Sequence, residues 1–139
     1  MPRRAVIDSG PLVALFDKDD QHHARALQFI QNYQGQLYTT VAVLTEVTHL
    51  LDFSVRVQLD FLNWVIAGAV EVEDLDKSSL LSIYTLVKKY SDLPADFADA
   101  SLVAIADKLS ISNIVSMDSD FLVYRTQSGS YLKSLMEEG

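Results

Sequence analysis

The sequence predicts an α/β fold, a three-layer α/β/α sandwich with a central, mainly parallel sheet of four to five strands. Two observations carry that expectation. Short apolar runs of strand length, among them Ala5-Val6-Ile7 and Ile114-Val115, alternate along the whole chain with longer segments of helical periodicity. Such alternation joins parallel strands through helical crossovers, and the crossovers cover the faces of the sheet. The 139 residues, 49% of them hydrophobic, also suffice for a sizeable core, so one domain over 1–139 is expected.

Taken in order, residues 4–8 read as a first strand that ends at the turn pair Ser9-Gly10, and Pro11 suits the first turn of a helix. Residues 20–33 read as a helix with Ala24, Leu27, Phe29 and Ile30 on its apolar face, and Gly35 is expected to end it. A second strand covers 36–40. Thr40 is placed to cap a helix over 41–53, and Ser54 to cap another running to about Gly68. A third strand is expected at 69–72, a helix at 77–90, an interruption at Pro94 and a helix at 95–109. A fourth strand follows at 113–117. The segments 121–124 and 131–135 are short, and one of them is expected at a sheet edge.

Composition narrows the function. There is no cysteine, which excludes disulfides, thiolate zinc sites and cysteine nucleophiles and suits a reducing cytosol, so a cytoplasmic location is expected. The start MPRRAVIDSG does not read as a signal peptide, and no apolar stretch is long enough to span a membrane. A formal net charge of -8 argues against a large basic nucleic-acid surface. Part of that excess is local if acids line a metal pocket. With five glycines the chain carries neither nucleotide-binding fingerprint, and Ser9-Gly10 is not a nucleophile elbow. His22, His23 and His49 read as surface histidines, since adjacent histidines do not face one way on a helix.

The acids are the informative residues. Asp8 and Asp118 end apolar runs, at the carboxyl ends of expected strands, where open parallel sheets bind ligands. Asp8 has two readings, a helix N-cap and a free carboxylate at the mouth of the sheet, with Ser9 able to cap in its place. On the helical wheel Ala98, Leu102, Ile105, Ala106 and Leu109 form a buried stripe; Asp99 falls at its edge and Asp96 farther out. Asp96, taken without other information, reads first as first-turn charge facing the helix dipole. Glu46 lies off the apolar stripe of Val43, Leu44, Val47, Leu50 and Leu51, and taken alone it is a solvated helix acid. Asp118 and Asp120 follow the fourth strand, one able to cap a turn and the other to reach a metal. Ser116 is placed to support the site by hydrogen-bonding a carboxylate or water. Four carboxylates meeting at one sheet edge would repel one another unless a hard cation, magnesium or manganese, neutralised them. The helix after Ser54 carries more apolar side chains than one face buries. It reads as core or as a subunit interface.

At these residues the chain resembles the PIN-domain family, in its VapC-like (PilT N-terminus) branch. The resemblance rests on VIDSGPLVALFDKDDQHHARA, TTVAVLTEVTHLL and LPADFADASLVAIADKLSISNIVSMDSDFLVYR, in that order, from about residue 4 to 125. It matches the family's metal-binding acids to Asp8, Glu46, Asp99 and Asp118, and Asp96 and Asp120 to positions where branch members often carry an extra acid. Ser116 stands where the family more often has threonine, which keeps the hydroxyl. What the resemblance implies is a Mg2+- or Mn2+-dependent ribonuclease, a homodimer, and the toxin of a toxin-antitoxin pair covered by a small antitoxin protein. Within the family the alternatives are an RNA-processing nuclease without an antitoxin and a non-catalytic binding module. A phosphatase built on an aspartate nucleophile would want a second aspartate two residues on, where this chain has Gly10.

Overall fold

The computed structural model describes residues 3–92, 96–118 and 131–136. Five strands form one sheet: β1 (Arg3–Ile7), β2 (Gly35–Thr40), β3 (Glu71–Glu73), β4 (Asn113–Val115) and β5 (Lys133–Ser134). Their order across the sheet is β3-β2-β1-β4-β5, and every pairing is parallel. The helices are α1 (Ser9–Phe16), α2 (His23–Asn32), α3 (Val41–Leu50), α4 (Val55–Ile66), α5 (Lys77–Lys89) and α6 (Phe97–Leu109). This is the expected α/β architecture with a fully parallel sheet. The edge strand is the one from 131–135; residues 121–124, Pro94, Asp120 and Arg125 lie outside the described residues.

Local chemistry sets the boundaries. Thr40 and Ser54 cap α3 and α4, accepting from the N–H groups of Val43 and Val57 at 3.3 Å each. Gly35 opens β2 instead of closing the preceding helix. It pairs with Arg3, and a Cβ at Gly35 would lie 2.5 Å from the Arg3 carbonyl oxygen. The residue is glycine because two backbones meet there. β3 starts two residues later than expected. Ala69 N–H is still bonded to Trp64 O, and Gly68 turns the chain at φ 97°, so pairing waits until Glu71. α2 begins at His23, because the Asp20 carboxylate first closes a turn by accepting from His22 N–H at 2.8 Å.

Burial corrects three expectations. α6 is buried nearly all round, from Ala98 and from Ala100 through Ala106, because it packs against α5, α3, β1 and β2. Four alanines let it fit. On α2 the fully buried residue is Ala26, whereas Ala24 and Leu27 face outward. On α3 Leu50 is exposed and Val43 and Val47 carry the burial. α4 turns Phe61 and Trp64 inward, where Phe16 meets both edge-on at 5.5 Å between ring centroids. It leaves Val55, Leu59 and Ile66 exposed. Among the described residues no helix is long and apolar enough to cross a membrane.

Candidate active site

The sheet order reverses direction at β1, whose chain-order neighbour β2 lies on one side and β4 on the other. Val6 pairs with Ile114 and Ile7 with Val115, so the next residues on each strand, Asp8 and Ser116, emerge side by side. This crevice at the carboxyl ends of the strands is where doubly wound sheets place their ligands.

Asp8 fulfils both of its sequence readings. It is the N-cap of α1, with Oδ1 accepting from Ser9 N–H at 2.8 Å, while Oδ2 accepts from the Ser116 hydroxyl at 3.0 Å. The alternative in which Ser9 caps and frees Asp8 is not what the chain does. The Ser9 hydroxyl instead donates to Glu46 Oε1. Ser116 in turn accepts from the Asp118 N–H at 2.9 Å, so one buried hydroxyl links the acids that follow β1 and β4.

Glu46 is half-buried on α3 rather than solvated. Burial pushes its carboxyl above the ordinary value, and the negative charge of Asp96 adds to that rise. Asp96 caps α6, accepting from Asp99 N–H at 2.8 Å, and its side chain stays exposed. Asp99 sits one turn into α6. Burial, then the charges of Asp8, Asp96, Asp118 and Glu46, push it up to about 8. Asp8 is pushed up to about 6, chiefly by burial and against the hydrogen bonds from Ser9 and Ser116; Asp118 and Glu46 contribute to the rise. Asp99 therefore feels all three of the other proposed ligands and the extra acid Asp96. Among the described residues no three acids or histidines stand close enough to hold a cation as they are placed. The four acids are related electrostatically, since the charges of Asp8, Asp118 and Glu46 all act on Asp99. Their chemistry fits a hard divalent ion: every donor is a carboxylate oxygen, and a bound cation would favour the ionised carboxylates that burial and mutual repulsion disfavour in Asp8 and Asp99.

Ser9 was not singled out as a partner for Glu46, and its only signal was a hydroxyl directly after the first acid. His23 does not simply face solvent. It is partly buried, with Nδ1 2.8 Å from Ala14 O.

Comparison with known proteins agrees with the fold. The PIN domain family matches residues 5–126. The chain is 28% identical over 115 residues to Ribonuclease VapC26 of Mycobacterium tuberculosis, covering 81% of this chain and 85% of that one. Among solved structures it is similar to VapC20 of Mycobacterium tuberculosis, a sarcin-ricin loop cleaving toxin, with a TM-score of 0.77 at 20% identity over 84% of this chain and 91% of that one. It is also similar to VapBC2 of Rickettsia felis bound to a promoter DNA fragment, with a TM-score of 0.65 at 13% identity over 94% and 98%. At these identities the solved structures speak for the fold.

Proposed function

Since the chain belongs to the PIN-domain family, we propose that it is a divalent-metal-dependent ribonuclease and the toxin of a toxin-antitoxin pair. The observation that carries the reading is geometric: the Ser116 hydroxyl links Asp8 to the Asp118 backbone at the ends of neighbouring strands, and the Ser9 hydroxyl ties Glu46 to the same turn; burial, then the charges of Asp8, Asp96, Asp118 and Glu46, raise Asp99. The ribonuclease name of the VapC26 relative supports the activity. A toxin-antitoxin complex from Klebsiella pneumoniae among the structural neighbours supports a small antitoxin partner. An acidic site suits an inhibitor that inserts an arginine. The absence of cysteine supports a cytoplasmic setting, and one PIN-like domain accounts for the chain.

Asp8, Asp99 and Asp118 would hold Mg2+ or Mn2+, with Glu46 completing the set directly or through water; Asp96 is a further acid whose charge acts on Asp99 and Glu46, and Asp120 is the other extra acid the resemblance implies. When bound, such an ion acidifies a water, orients it and offsets charge on the phosphate. The protein's own part is positional. Ser116 fixes one oxygen of Asp8, and α1's first N–H fixes the other. Ser9 holds Glu46, which would bind the ion through water or orient the attacking water. The burial of Asp8 and the partial burial of Asp99 keep bulk water from screening these charges.

The test is cleavage of mixed single-stranded RNA by purified protein in Mg2+, Mn2+ or EDTA. Cutting is expected with either metal and none in chelator, and Asp8→Asn and Asp99→Asn are each expected to lose at least about 100-fold, the scale on which ligand chemistry matters. Activity that persists in EDTA contradicts the reading.

A further inference from the structure

Beside the acids lies a concavity of about 420 Å³ lined by Val41, Ala42, Thr45, Leu75, Phe97 and Ala98. That is within the ordinary range for small-ligand sites. Two of its large apolar walls face outward, with Phe97 50% and Val41 58% exposed. It belongs to the same two helix starts as the site: Phe97 and Ala98 lie between Asp96 and Asp99 on α6, and Thr45 directly precedes Glu46 on α3.

From this placement we propose that the concavity receives an unpaired nucleobase of the RNA next to the scissile phosphate, with the Phe97 ring as its stacking platform. The proposal rests on the ribonuclease reading and names a subsite for it. Two arguments select this occupant. A chain of net charge -8 gains little from phosphate contacts away from the cation, so contacts to the bases are the affinity for RNA that its charge does not oppose. Stacking on an aromatic ring supplies that affinity without basic residues, because every base has a π face. The lining offers one polar side chain, Thr45, whose hydroxyl already donates to Val41 O at 2.9 Å. Stacking with little hydrogen-bond readout of base identity follows.

The probe is a short single-stranded oligoribonucleotide carrying 2-aminopurine at successive positions, titrated with Mg2+ present into the cleavage-deficient Asp99→Asn protein. Quenching of 2-aminopurine at one position is expected. Adding Phe97→Ala removes it and weakens binding about tenfold, the effect of losing one stacked base; Phe97→Trp restores both. In the protein with Asp99 intact, Phe97→Ala raises KM about tenfold and leaves kcat less affected. Unchanged quenching and affinity in Phe97→Ala, or no binding of any probe, overturns the subsite. So does a shift from dimer to monomer in sedimentation with RNA binding unaltered, which would assign the concavity to a second copy. Ring-dependent quenching without metal-dependent cleavage upholds the subsite and removes the nuclease reading. Cleavage without ring dependence does the reverse.

Discussion

At Asp8 one carboxyl group does two things that sequence presents as alternatives. Each oxygen has its own partner, so capping α1 leaves the group facing the acids. Its rise to about 6, and that of Asp99 to about 8, have a thermodynamic consequence. From an ordinary value of 3.8, both groups hold protons in the folded chain that the unfolded chain releases. Their contribution to stability is therefore full below about pH 4 and is lost as pH rises through 6 and then 8. Thermal melts in EDTA are expected to show these groups lowering Tm across that window. Saturating Mg2+ is expected to flatten the loss and to stabilise more at pH 8 than at pH 5, since it binds the ionised form. Ser116→Ala removes the hydroxyl that orients Asp8 and receives Asp118 N–H. Metal affinity is expected to fall about 10-fold or more, as for other groups that orient ligands; a calorimetric titration with Mn2+ reads it. The positions of these acids were legible because strand ends and helix starts leave a period behind. Their hydrogen-bond partners were not, because the hydroxyls of Ser9 and Ser116 reach residues 37 and 108 positions away.

Among the elements, those ruled by local chemistry matched best. Thr40 and Ser54 announce α3 and α4 through capping, a property of a few consecutive residues. Ser54→Ala is expected to cost about 1 kcal/mol, read from the urea midpoint at constant slope. Where tertiary contact decided, the pattern misled. Gly35 reads as a helix terminator, yet the close approach of the Arg3 backbone is what requires it. The wheel of α6 shows a stripe, but the helix is enclosed by α3, α5 and the sheet, and alanines carry too little hydrophobic signal to reveal burial on every side. Phe97, an apolar residue between two acids at a helix start, was passed over for the same reason: only the fold places Val41 and Leu75 around it.

For the whole molecule, the parallel sheet and its reversal at β1 bring together residues that sequence scatters. Asp8 and Asp118 follow neighbouring strands, while Glu46 and Asp99 lie on helices whose first turns point at the same edge. A separate face is apolar. Val55, Leu59 and Ile66 form an exposed apolar line on α4, whose only charges are Arg56 and Asp60. A chain of net charge -8 approaches its own copy with least repulsion on such a neutral face, which fits the homodimer the resemblance implies. Leu59→Glu and Ile66→Glu are expected to shift the protein to monomer in analytical ultracentrifugation; a dimer unchanged by both places the interface elsewhere. The central claim, that acids from four elements serve one cation, is tested most directly by Mn2+ binding. Electron paramagnetic resonance would be run on the protein and on Asp8→Asn, Glu46→Gln, Asp99→Asn and Asp118→Asn, each checked for native folding. The expected result is Mn2+ binding that every one of the four substitutions weakens. Full-strength binding in Asp8→Asn and Asp99→Asn, or no binding in the unaltered protein, would contradict it.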